Sequence, residues 1–86
     1  MDINQLIEIV KKKLAENIVA EDIKIEDKSF LHEKHHSHQK GRYHLKLIIK
    51  SKELKAKNRI ESTKIIYKLL DIEMKNFIHS IQILID

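Results

Sequence analysis

The stretch "YHLKLIIK" at residues 43–50 constrains the chain most. Tyr43, Leu45, Leu47 and Ile49 fall on one side of an extended strand, and His44, Lys46, Ile48 and Lys50 on the other. A period of two means that one face packs and the other is largely wet. Ile48 is the exception on the polar side. A sheet with one dry face needs a second apolar layer laid against it, and the rest of the chain supplies helices for that role.

The first helix comes from "MDINQLIEIVKKKL". Ile3, Leu6, Ile7, Val10 and Leu14 recur at helical spacing, and Asp2 is placed to cap the N-terminus. Lys11, Lys12 and Lys13 are expected near its C-terminal end, where the helix dipole favours cations. A short strand follows at 22–27, with Ile23 and Ile25 alternating against Lys24 and Glu26. Residues 32–42 are polar, contain the chain's one glycine, Gly41, and read as a loop. After the strand of 43–50, "SKELKAKN" (51–58) is a basic connection with partial helical character. A helix over 59–70 is expected to bury a stripe of Ile60, Thr63, Tyr67 and Leu70, widened by Ile66 and Leu69. Residues 71–76 read as a short helical turn or linker. A last strand runs over 78–85, and strict alternation puts His79, Ile81, Ile83 and Ile85 on one side. Eighty-six residues in this order make one α+β domain of two layers, with helices on one face of a three-stranded sheet.

Composition removes whole classes of chemistry. With one glycine there is no Gly-rich phosphate loop or dinucleotide fingerprint, because such turns need backbone that approaches phosphate without a Cβ. With no cysteine there is no disulfide, no thiolate nucleophile and no sulfur ligand from this chain. No nucleophile elbow supports a serine triad, so an enzyme is not expected. No segment has the length of a membrane span, and the N-terminal charges follow the apolar stretch rather than precede it. A cytoplasmic protein without membrane contact is the expectation. The net charge of +4 is uneven. Residues 1–39 are net −2, residues 40–68 carry ten basic and two acidic groups, and residues 69–86 are again net −2. The central block is either solvated surface or a face for an acidic protein or nucleic acid.

The histidines are distributed as unevenly as the charge. "SFLHEKHHSHQKGRYH" (29–44) holds His32, His35, His36, His38 and His44, and His79 lies apart near the end. Neutral imidazole binds borderline metals, and spacings of three residues, as in His32/His35 and His35/His38, suit neighbouring ligands. In a loop that spacing is equally that of a solvated polar segment. His44 reads as an outward polar residue on its strand. His79 reads as a semi-buried residue at the margin of the apolar layer.

Four segments together resemble the BolA family. "DKSFLHEKHH" (27–36) is similar to a family loop in which Ser-x-Leu-His-x-x-His precedes the second strand. "GRYHLKLIIKS" (41–51) resembles the strand Thr-His-Phe-x-Val-x-(Ile/Val)-Val-Ser, aligning His44. "KNRIESTKIIYKLL" (57–70) sits where the family has an Arg-His-Arg helix. "IHSIQI" (78–83) resembles the ending (Val/Ile)-His-Ala-Leu-x-Ile, aligning His79. The chain departs from the pattern at Thr63, where the family helix has histidine, and at Leu54-Lys55-Ala56, where it has Phe-x-Gly.

The resemblance implies an α-β-β-α-α-β two-layer sandwich of class II KH-like type without the glycine loop. It implies binding to a monothiol glutaredoxin, with a [2Fe-2S] cluster shared with that protein and its glutathione. The ligands it implies on this chain are His79 and a loop histidine, His32 ahead of His35. Two imidazoles on one iron, with sulfur supplied by the partner, are known chemistry. The alternative implied function is DNA-binding transcriptional regulation. Either partner would meet a basic face of Lys55, Lys57, Arg59, Lys64 and Lys68. Alone, the chain is expected to be a monomer, with a weak homodimer as the alternative.

Overall fold

A computed structural model describes residues 1–29 and 42–86. The elements are α1 (Ile3–Asn17), β1 (Asp22–Asp27), β2 (Tyr43–Lys50), α2 (Lys52–Lys55), α3 (Arg59–Leu69), α4 (Asp71–Asn76) and β3 (Ile78–Ile85). They build an α+β fold with a three-stranded mixed sheet and helices on one face. The strand order is β1-β2-β3. β1 runs antiparallel to β2, from Asp22 opposite Lys50 to Asp27 opposite Leu45, and β3 runs parallel to β2. The parallel pair requires the long crossover that α2, α3 and α4 provide.

The alternation in β2 sets the core. Leu45, Leu47 and Ile49 share a buried cluster with Leu6, Val10 and Leu14 of α1, and Ile18, Ile23, Leu54, Ile66, Leu70, Ile78, Ile81 and Ile83 complete it. Four-residue spacing of Leu6, Val10 and Leu14 gives α1 one apolar ridge. Its N-terminus is closed by a capping box, in which Asp2 accepts from the Gln5 N–H and the Gln5 side chain accepts from the Asp2 N–H. The helix runs to Asn17, so Lys11–Lys13 stop short of its last turn, which holds no basic residue. Lys13 has a different use. Its Nζ donates to both carboxylate oxygens of Glu73 on α4, at 2.9 and 2.8 Å. The Glu73 side chain is 6% exposed, so it needs that partner.

Two serines hold the crossover in place from inside. Ser51, fully buried, caps α2 by accepting from the Leu54 N–H and donates to the Val19 carbonyl at 2.7 Å. Ser62, also fully buried, donates to the Leu54 carbonyl at 2.6 Å. The expected stripe of α3 is therefore corrected. Ser62 and Ile66, with Leu70 beyond the helix end, are buried, whereas Ile60 and Tyr67 are exposed. Ser62 takes an inward position that a purely apolar count assigns elsewhere, because its hydroxyl is satisfied there. The connection 51–58 contains one helical turn, α2, and residues 71–76 are the helix α4. No helix among the described residues is long and apolar enough to cross a membrane.

Candidate functional site

The site begins with a break in β3. Tyr43 pairs with Ile78, yet the next residue of β2, His44, pairs with Ser80. One step on β2 is matched by two on β3, so His79 is the extra residue of a β-bulge. The consequence is a change of phase. Ile78 and Ile81 are both buried, and the two residues between them, His79 and Ser80, are both exposed. The expectation that His79 shares a face with Ile81, Ile83 and Ile85 is thus overturned. His79 belongs to the outer face, and its ring centroid lies 4.8 Å from that of His44 at an interplanar angle of 36°. The signal was in the sequence: Ile78 and Ile81 are three apart, whereas Ile81, Ile83 and Ile85 are two apart.

His44 also differs from the outward, wetted residue expected. It lies on the outer face but is only 8% exposed. Its ring Nδ1 is 2.7 Å from the Ser80 hydroxyl, and its backbone N–H donates to the Ser29 hydroxyl at 3.0 Å. Its carbonyl accepts from the Lys28 N–H at 2.7 Å. Ser29 in turn donates its N–H to the Asp27 carboxylate at 3.0 Å, a local turn that finishes β1. The Ser80 bond holds the His44 ring and the others hold its main chain, which gives His79 a fixed neighbour. Sequence reasoning gave neither Ser29 nor Ser80 a role in this arrangement.

The two points at which the chain leaves and rejoins the described residues lie at this end of the sheet. Ser29 is bonded to His44. On the other side Arg42 donates its Nη2 to the Lys75 carbonyl at 2.9 Å, and the Tyr43 N–H donates to the Phe77 carbonyl at 2.9 Å. His32 and His35, the loop ligands expected from the resemblance, lie outside the described residues, as do His36 and His38. Their meeting with His79 is therefore not part of the described geometry. No group of three or more metal-binding side chains occurs among the described residues. His79 and His44 make a pair of imidazoles, fewer ligands than a closed metal site holds.

The basic residues divide. Lys55, Lys57 and Arg59 line one cavity of about 190 Å³ with Leu54, Ser62 and Ile85. Lys64 and Lys68 are exposed on α3 and line neither this cavity nor the adjoining one. Thr63, at the position where the family helix has histidine, lines the second cavity, of about 280 Å³, with Arg59, Tyr67, Ile81, Gln82 and Ile83.

No curated protein sequence matches the chain. Among solved structures, the BolA domain of SufE1 from Arabidopsis thaliana is similar with a TM-score of 0.78 and 23% identity, covering 100% of this chain and 93% of that one. BolA1 from Arabidopsis thaliana has a TM-score of 0.75 and 26% identity over 92% of this chain and 87% of its own. A bol-like protein from Babesia bovis has a TM-score of 0.70 and 17% identity, over 91% and 79%. The family model for BolA-like proteins matches residues 14–85, which takes in every strand, the helices α2 to α4 and both histidines of the pair. The chain therefore belongs to the BolA-like family, non-catalytic regulatory and adaptor proteins with a general role in iron–sulfur and iron homeostasis alongside glutaredoxin partners.

Proposed function

We propose that the chain is a half-site for a [2Fe-2S] cluster that bridges it to a monothiol glutaredoxin. Its own contribution is imidazole nitrogen from His79 and from a loop histidine, His32 ahead of His35. The glutaredoxin and its glutathione contribute the thiolates that a chain without cysteine lacks. The observation that supports this reading is the bulge. It turns an imidazole outward beside a buried, hydrogen-bonded one, at the end of the sheet to which Ser29 and Arg42 are tied. Two imidazoles from this chain fit a group whose remaining ligands come from another protein. His44 acts as a positioning residue. Its ring, held by Ser80, restricts where His79 can swing. Before the partner binds, the protein is a cytoplasmic monomer.

The test is to add the chain to cluster-loaded monothiol glutaredoxin and follow the visible absorption and circular dichroism of the cluster. The expected result is a spectral change that His79→Ala abolishes and that His32→Ala weakens more than His35→Ala. An unchanged response with His79→Ala would remove that residue from the ligand set. Amide shift mapping with apo and loaded glutaredoxin supplies a second readout. Perturbation confined to α1 would move the interface off this face altogether. The DNA-binding alternative, with the class II KH-like description of the fold behind it, has Lys55, Lys57 and Arg59 gathered at one cavity in its favour.

A further inference from the structure

β3 has a hydrogen-bonded neighbour on one side, β2. Which of its main-chain groups that neighbour uses can be read from its end. The Asp86 N–H donates to the Ile49 carbonyl at 2.8 Å, and the Asp86 carbonyl accepts from the Ser51 N–H at 3.2 Å. Residue 86 therefore faces β2. In an extended strand the main-chain groups of alternate residues point to the same edge. Leu84 and Gln82 then face β2 as well, and Ile85, Ile83 and Ile81 turn theirs to the open side. Arg59 corroborates this phase, since its Nη2 approaches the Ile83 carbonyl at 3.5 Å, a long and weak contact.

This edge is bordered by a trough. Arg59, Thr63 and Tyr67, four residues apart on α3, form a wall over Ile81, Gln82 and Ile83. The cavity of Lys55, Lys57, Ile85 and Ser62 adjoins it and shares Arg59. Together they follow β3 from Ile81 to Ile85. Among the described residues no carboxylate lines either cavity. The two glutamates of α2 and α3 are turned elsewhere: Glu53 accepts from the Val19 N–H and Glu61 from the Asn58 side chain.

We infer that the trough between α3 and the open edge of β3 docks an extended acidic segment of a partner protein, which adds as a fourth strand. The outward main-chain pairs at Ile81, Ile83 and Ile85 recur every two residues, about 6.6 Å, which is the repeat of another strand. Main-chain bonds of this kind hold an added peptide, and side-chain pockets select it. The selection here is by charge at one end, where Lys55, Lys57 and Arg59 meet a carboxylate, and by apolar fit along Ile81, Ile83 and Tyr67. A nucleic acid has no amide ladder to offer this edge. The edge lies beyond the bulge, so this docking does not depend on His79 as a ligand.

The experiment titrates the isotopically labelled full chain with a synthetic ten-residue peptide of alternating valine and glutamate. Three other probes are titrated in parallel: the same peptide with lysine for glutamate, an acidic peptide N-methylated at alternate amides, and a short DNA duplex. The expected result is saturable shifts centred on the amides of Ile81, Ile83 and Ile85, with slower exchange there and little change at His79. Lys57→Glu and Arg59→Glu should each weaken the acidic peptide at least tenfold, and N-methylation should abolish its binding. Lys57 is exposed, and among the described residues no hydrogen bond like that of Arg59 to Ile83 ties it to β3, so its variant remains informative even where Arg59→Glu perturbs the fold. Equal binding of the lysine peptide, shifts elsewhere, or no shifts at all would overturn the proposal. Shifts of these amides by DNA and not by the peptide would assign the trough to nucleic acid instead.

Discussion

Along β1 the sheet ends in "DIKIED", with four charged side chains in six residues. Along β3 it ends in "IHSIQILI", eight residues without a charged one beyond the titratable His79. Among the described residues both strands have one free side, and a free side is a template for unwanted pairing. β1 is defended by its own side chains, since Asp22, Lys24 and Asp27 are exposed. β3 is not defended in this way. Its open groups are bordered by a separate element, α3, which narrows access without closing it. The difference teaches that an edge can be kept from general association by charge on the strand itself, or reserved for one kind of occupant by a wall beside it.

The comparison assumes one cooperative sheet, and the largest test strikes the strand shared by both edges. Leu47→Ala removes a fully buried side chain from β2 and is expected to cost about 3 kcal/mol, read from urea unfolding. Amide protection should fall in β1 and β3 together; loss in one strand alone would show that the edges belong to separate units. A smaller effect is expected from Lys13→Met, which leaves the buried Glu73 carboxylate without its ammonium partner. Lys13 is about a third exposed, so the pair is partly screened and the expected loss is about 2 kcal/mol. Exchange should quicken first in α4 and at the α1 residues around Lys13, the two elements that the ion pair joins. The smallest change in stability, within about 0.5 kcal/mol, is expected for Lys24→Val on exposed β1. Its readout is association. Light scattering should show more self-association than in the parent chain, and an unaltered mass would mean that charge is not what protects this edge.

The strands were legible because their side chains alternate. β1 and β3 run over 22–27 and 78–85 as the period of two indicates, and β2 departs from it by nothing on its core side. α1 was legible from its ridge and its cap. What the pattern concealed were polar residues placed inside and histidines placed outside. Ser62 sits in the core because Leu54 has a carbonyl to offer it, and no hydropathy count registers that bond. Ile60 and Tyr67 were assigned to the core by type, yet they face out along α3. His79 was assigned by parity, and parity fails wherever a strand carries an extra residue. His44 was read as wetted because it lies opposite the core, but two serines and a second imidazole enclose it. For His44 and His79 the error concerns a side chain whose partner lies on another strand. Such a partner is fixed by the assembled sheet and leaves no local period.

The bulge gives the strand something a regular one lacks: two adjacent side chains on the same face. His79 and Ser80 stand side by side in solvent while Ile78 and Ile81 on either side keep the interior filled. The pair behaves as a cassette. Its chemistry can be exchanged without touching the isoleucine core, so long as its length is kept, although Ser80 and His79 both contact the His44 ring. Removing one residue would restore a plain alternation and turn every side chain on one side of the cut to the opposite face, trading an exposed imidazole for a buried one or an apolar floor for an exposed one. In this protein the count of residues between two isoleucines is as much a part of the site as the histidine itself.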